Sequence, residues 1–494
     1  MIKKIVFDDK IVFYWDRQEE YVSGCTYCVE YATKRVSTTK THYTICKEDG
    51  LENGFEITVS LVGADGALIK RLGTETVAFA KAKRRIDVTK APYFAVGDGK
   101  TMNTAAIQKA IDDCGKDECV YLPSGTFLTG ALNLHGDMEL YVETGATLQG
   151  TAVAEDYLPK VNSRFEGIEC MCYRSLLNLG EIDNKAGYTT QNVVIRGGGS
   201  ILGGGYDLMA DIVEKESGAP FSLEPESRQK YREAWCVRGR LLQAANAENV
   251  VVENVTIGLG ASWNLHFIYS KDIVVCGAKV VSQGVNNGDG IDPDSCENFT
   301  VFDCDFDTRD DMLAIKSGKN PEGNIINRPS RHIRVFDCRC QHGHGMAVGS
   351  EMSGGVEDVR IWDCQMENSR CGIEIKGSKA RGGYVKDVRV YDSAFSILAV
   401  RAVDYNAYGE SAPTPPVFED FHFENIVLTG VCVKHNGETW DESAVILEGF
   451  DEEGYALKNV KLKDIVIERR ASAPKQNMSL YCVQGLSVEN LRCK

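Results

Sequence analysis

Residues 286–295 read `NNGDGIDPDS` and residues 308–318 read `TRDDMLAIKSG`. Asp289, Asp292 and Asp294 stand in the first stretch, and Asp310 adjoins Asp311 in the second. Asn, Asp and Gly suit tight turns, which accounts for Asp292 and Asp294 as turn and ladder residues. Several carboxylates on one wall repel one another, so one of them keeps its proton while another stays ionised. A neutral acid beside an ionised one is the equipment of glycosidic cleavage, where one protonates the leaving oxygen and the other deprotonates a water. A calcium loop of the EF-hand kind would place a glutamate twelfth. Counted from Asn287 the twelfth residue is Asn298, and counted from Asp289 it is Thr300, so no metal site is expected here. Two further polar segments follow: `GHG`, with His344 between Gly343 and Gly345, and `GIEIKG`, with Glu374 and Lys376. The flanking glycines are expected to let His344 bring its backbone close to a ligand.

What could bring four distant segments together is a repeat. A polar residue, usually Asn or Asp, precedes a β-branched or aromatic run at 192, 249, 272, 298, 332, 358, 387, 420 and 459. The intervals are 57, 23, 26, 34, 26, 29, 33 and 39 residues; the longest is expected to hold two coils and a polar insertion. Five residues after each start stands Asn, Asp or Gly (197, 254, 277, 303, 337, 363, 392, 425 and 464), the types that accept a left-handed bend. One place further, Cys304, Cys338 and Cys364 recur as a column of small core residues. Short strands with a fixed bend predict an all-β chain whose main part is a right-handed parallel β-helix, stacking coils ~4.8 Å apart. Asp289, Asp310, His344 and Lys376 lie 17, 12, 12 and 18 residues after ladder positions 272, 298, 332 and 358. That offset predicts one shared wall, with `GHG` about one and a half coils beyond the paired aspartates.

The flanks complete the architecture. Residues 1–88 alternate apolar and polar positions in short runs broken by turns such as `KEDGLENG` and `GADGAL`. This predicts a small fibronectin type III-like β-sandwich, followed by the β-helix at 89–494. In `NTAAIQKAIDDCG`, Ile107, Ala110 and Ile111 share a helix face, which predicts a helix over 104–114 that Asn103 or Thr104 caps, Gly115 ends, and that covers the first coil. A net charge of −16 disfavours nucleic acid and anionic membrane as partners. The opening `MIKKIVFDDKIVFYWD` has no sustained apolar run, and no stretch approaches the ~18 apolar residues of a membrane span. Eighteen cysteines, many inside apolar runs, read as reduced buried thiols of a cytoplasmic protein. An oligomer remains open.

`NNGDGID`, `RDDMLAIKSG`, `GHG` and `IKG`, in this order and spacing, resemble the `NTD`, `DD`, `GHG` and `RIK` signatures of polygalacturonases, family 28 of the glycoside hydrolases. The resemblance begins near residue 97 and runs to about 470. It implies a β-helical inverting hydrolase without cofactor, acting on pectic oligosaccharides. Asp310 would be the general acid, and Asp289 with Asp311 would activate water. His344 would tune the acid, Lys376 would hold a sugar carboxylate, and Asn287 would shape the site. `WNLH`, with Trp263 and His266, resembles segments of exo-acting members, which places His266 near the non-reducing terminal sugar. Two residues depart from the pattern: Gly288 stands for threonine, and Glu374 for the arginine of `RIK`. A glutamate there would repel a sugar carboxylate that an arginine fork would grip; the remaining local cations are Lys316, Lys376, Arg309 and Arg381. The reading is an exo-polygalacturonase. A rhamnogalacturonan or xylogalacturonan hydrolase is the near alternative, and a calcium-dependent lyase or a non-catalytic carbohydrate-binding β-helix the distant ones.

Overall fold

A computed structural model of the chain describes residues 1–47, 51, 54–405, 407–434, 436–468 and 477–494; the turn `KEDGLENG` falls mostly outside them. The chain forms two compact units, Met1–Arg84 and Arg85–Lys494. The first is a sandwich of a three-stranded and a four-stranded antiparallel sheet, in which Phe13, Trp15, Tyr27, Val29, Ile57 and Val59 fill the core. Its boundary lies at Arg84, where alternation had suggested 88.

The second unit is a parallel β-helix. One long sheet and an eleven-stranded sheet run its length, each strand pairing in parallel with its counterpart in the next coil. Parallel strands joined by crossovers take the right-handed sense. Equivalent residues stack as columns: Val193, Val250, Ile273, Phe299, Ile333, Val359, Val388, Phe421 and Val460 are in register on successive coils. All nine are buried, and each such side chain contributes ~1.5–3 kcal/mol by leaving water.

The bends fall where the repeat places them. Asn254, Asp303, Asp337, Asp363, Asp392, Asn425 and Asp464 all have φ between 48° and 56°. The residues that open each repeat, from Asn192 to Asn459, are left-handed as well, with φ of 52–62°. Both positions carry amide-to-carboxylate ladders, such as Asn298 to Asp272 (2.8 Å) and Asn425 to Asp392 (2.8 Å). Cys304, Cys338 and Cys364 stack in the core as free thiols. A charge column runs outside: Glu248, Lys271, Glu297, Arg331, Glu357, Lys386, Glu419 and Lys458 are successive register partners of alternating sign.

Three details differ from the expectation. The interval of 57 holds one coil, not two, since Val193 pairs directly with Val250; its extra length is the helical insertion Gly205–Ser217, Pro225–Lys230 and Arg232–Cys236. The capping helix Thr104–Asp112 buries Ile107, Ala110 and Ile111 as expected. Asn103 precedes it without a side-chain cap, because its amide is spent on Val96 and the carbonyls of Thr101 and Leu128. A hairpin, Val161–Phe165 with Ile168–Cys172, leaves the first coils and was not foreseen. No helix among the described residues is long and apolar enough to cross a membrane.

Candidate active site

The strands Ile291–Asp294, Asp311–Ile315, Gly345–Val348, Ile373–Ser378 and Leu398–Val403 are consecutive neighbours in the eleven-stranded sheet. Each chemical segment therefore lies one coil from the next. `GHG` stands one coil after the paired aspartates rather than one and a half, with Asp311 in register with Gly345. The surplus length between them is the excursion around Glu322–Ile326. Their side chains meet in a cavity of about 380 Å³, lined among others by Asn287, Asp289, Asp310, Asp311, His344 and Lys376.

Local packing explains why each group points there. Arg238 is fully buried and donates to Asn287 Oδ1 at 2.8 Å, pinning the loop before Asp289. The carbonyl of Asp289 accepts from the backbone and side chain of Asn264 at 2.9 and 2.7 Å. A Cβ at residue 288 would lie 2.8 Å from the carbonyl of Val285 and 2.9 Å from Ser282 Oγ, so the tight loop suits glycine. At Gly345, with φ of 91°, a Cβ would meet the carbonyl of Gly372 at 2.2 Å. This glycine thus serves contact with the adjacent coil, where close approach to a ligand had been expected.

His344 Nδ1 is 2.7 Å from Asp310 Oδ1 and 3.6 Å from Asp311. Burial disfavours the imidazolium, but the two carboxylates outweigh it and raise the pKa to about 9. Arg370 Nη1 approaches Nε2 at 3.3 Å, a long contact that the nearer carboxylate dominates. Burial also disfavours charge on Asp310, yet His344, Lys376 and Lys316 draw its carboxyl far below the usual range. Asp289 behaves oppositely: burial, then Asp292 and Asp310, raise it well above that range despite Lys316. One neutral and one ionised acid thus face the same cavity, with the proton on Asp289 and on the His344–Asp310 pair.

Glu374 does not act as a free repelling charge. Its Oε2 accepts from Lys376 Nζ at 2.9 Å, and its Oε1 accepts from Arg401 Nε at 2.8 Å. Burial opposes its ionisation, but the two cations hold its pKa down at about 2. Lys376 and Arg401 are in register on adjacent coils and both line the cavity. Arg401 thus brings in from the following coil a guanidinium that position 374 lacks. Of the other expected cations, Lys316 lines the cavity, Arg309 does not, and Arg381 is sealed behind the wall on the carbonyl of Ser350 and on Asn320.

His266 lies away from the cavity. It is fully buried, edge-on to Trp263 at 4.9 Å and 3.6 Å from Asp294. Burial keeps it neutral, with the pKa lowered to about 4 although Asp294 favours the charge. Trp263 does line the cavity, but only 3% of it is exposed, and it stacks on Phe165 of the hairpin at 5.2 Å. Asp292 and Asp294 are buried strand residues, not turn residues. Asp294 pairs with the fully buried Arg164 at 3.0 Å, anchoring the hairpin to this coil. The hairpin tip, Glu166, reaches the cavity and binds Arg232 and the hydroxyl of Tyr408. Glu166, Glu351, Arg401 and Tyr405 were missed. Arg401 carried a signal, standing one coil length after Lys376; the others sit on connections that no repeat position marks.

A parallel β-helix with paired aspartates, a histidine and a cationic wall defines a carbohydrate-cleaving solenoid. Residues 119–484 match the model of glycosyl hydrolases family 28. An exo-poly-α-D-galacturonosidase of Dickeya chrysanthemi is 30% identical over 419 residues, covering 77% of this chain and 68% of that protein. The exopolygalacturonase of Thermotoga maritima superposes with a TM-score of 0.69 at 28% identity, covering 83% of this chain and 92% of its own. A family 28 exopolygalacturonase of Yersinia enterocolitica shares the fold along the whole chain, with a TM-score of 0.83, 21% identity and 98% of its own length covered. The chain belongs to glycosyl hydrolase family 28.

Proposed function

We infer that the chain is an exo-polygalacturonase, releasing terminal galacturonic acid from pectic oligosaccharides by inverting hydrolysis. The observation that carries this is the meeting of Asp289, Asp310, Asp311 and His344 with Lys376 and Arg401 in one cavity. The scissile oxygen lies against Asp310, which passes on the proton it shares with His344 across 2.7 Å. Asp289 and Asp311 face the water; the carboxylate that is ionised when substrate binds takes its proton as water attacks the anomeric carbon. The bond to the leaving sugar breaks as the new C–O bond forms, and configuration inverts. Lys376 and Arg401 receive a sugar carboxylate, with Glu374 orienting both.

The exo preference is supported by the hairpin. It is tied to the coil that carries Asp289, through Arg164 to Asp294, and to the coil before it, through Tyr269 to Glu169 at 2.7 Å. Its tip forms part of the cavity wall, which closes the cleft on that side and leaves room for a chain end. A cytoplasmic location fits the eighteen free thiols, of which Cys170 and Cys172 lie unbonded with sulfurs 3.7 Å apart. There the substrate would be imported oligosaccharide. The net charge of −16 argues against nucleic acid or an anionic membrane as partner.

Incubating the protein and its Asp310→Asn variant with trigalacturonate, with and without chelator, tests the reading. Saturated monosaccharide is expected in both buffers, and a ~10²–10⁴-fold loss of rate in the variant. Unsaturated, chelator-sensitive products would select the lyase, and undiminished turnover by Asp310→Asn would refute the acid.

A further inference from the structure

Lys316 closes the run `DDMLAIK`, and its backbone bridges to Asp294 on the preceding coil. The carbonyl of Lys316 accepts from Ser330 Oγ at 2.7 Å and from the amide of Ser295 at 2.9 Å, so the residue is fixed at its root. Its side chain is 5% exposed, and its ammonium stands 3.3 Å from Asp292, 3.6 Å from Asp289 and 3.6 Å from Glu351. The Trp263 ring lies beneath, with its centre 4.7 Å away. Three buried carboxyl groups therefore share one cation. Asp289 Oδ1 and both oxygens of Asp292 have no hydrogen-bond partner among the described residues. A buried carboxylate without compensation is strongly disfavoured, so the ammonium limits how many of the three can ionise together.

We propose that Lys316 is the positioning residue that determines when Asp289 can act as base, by sharing its ammonium among Asp289, Asp292 and Glu351. The proposal rests on the reading of Asp289 as a base. When Asp289 ionises, Lys316 turns a bare buried carboxylate into an ion pair, and Asp289 can then take the proton of the attacking water. Glu351 competes for the same cation and is itself held ionised by Lys316, Arg381 and Lys376 against the effect of burial. The other charged or titratable groups facing this cluster include Asp310 and Asp311 from the same coil, Asp294 from the preceding one, Lys376 from the wall, and Arg240 and His266 around Trp263. None of them replaces the ammonium beside Asp289.

Two substitutions shift the balance in opposite directions. Lys316→Met removes the cation and raises the pH at which Asp289 ionises by ~1–3 units. Glu351→Gln removes a competitor and lowers it. The acidic limb of kcat/KM on trigalacturonate should move up in the first variant and down in the second. A readout without turnover is the Asp289 carboxyl band, isolated by infrared difference between each protein and the same protein carrying Asp289→Asn. Its titration midpoint should follow the same two directions. Midpoints unmoved in both variants would overturn the proposal even if the rates fell. Should Lys316→Met fail to fold, the Glu351→Gln midpoint decides alone. A shifted band with an unshifted acidic limb would instead refute the base role on which the proposal rests.

Discussion

In the proposed mechanism Asp310 and His344 act as one acid–base unit. Their 2.7 Å contact holds one proton that neither group would keep alone at neutral pH. The imidazolium, raised from 6.5 to about 9, strengthens the fold fully below pH 6.5, and that contribution disappears as pH rises through about 9. The same loss empties the acid, so turnover should fall with an apparent pKa near 9, and His344→Gln should abolish that limb in a pH–rate profile. A limb unchanged in His344→Gln would assign the proton elsewhere. The offsets of Asp289, Asp310, His344 and Lys376 from the repeat put them on one wall, and the resemblance added Asp311 and Asn287; all six line the cavity. His266 was misplaced for a definable reason. It lies in register with Asp292, between the core residues Leu265 and Phe267, so strand alternation turns it away from the core. A hairpin from an earlier coil brings Phe165 onto Trp263 and seals this layer, and no local pattern records such coverage.

The hairpin over residues 161–172 is the element on which the proposed exo preference rests. Arg164 holds it, fully buried and paired with Asp294, and the carbonyl of Arg164 accepts from Arg240 at 2.7 Å. Arg164→Ala would leave Asp294 buried without its cation, a change worth ~3–5 kcal/mol. A lowered unfolding midpoint and a shift from monosaccharide toward mixed oligosaccharide products are expected together. A hairpin released without any change in products would remove it from the specificity argument. Nothing in `VNSRFEGIECMC` falls on a repeat position, so the coil pattern does not mark this element. Its antiparallel pairing off the main sheets depends on contacts with coils more than a hundred residues away.

At the scale of the whole molecule, the repeat carried most of the solenoid: the bends followed from positions of Asn, Asp and Gly, the cysteine column from the place after them, and the shared wall from the offsets of Asp289, Asp310, His344 and Lys376. The repeat lengths misled only where excursions inflated them, as between 192 and 249. The outer charge column shows how register is kept. Glu357 lies between Arg331 and Lys386, 3.1 Å from the latter. Glu357→Lys would set three cations in a row, at a cost of ~0.2–1 kcal/mol per like pair. The unfolding midpoint should fall slightly and recover in high salt; a salt-independent loss would point to packing instead. All of this matters to function because stacked coils bring separate acids to one linkage. Proton NMR of the first turnovers on trigalacturonate tests that most directly. Galacturonic acid formed initially as the β anomer, alongside digalacturonate, is the predicted result; an initial α anomer, or a new β end carried by digalacturonate instead, would contradict it.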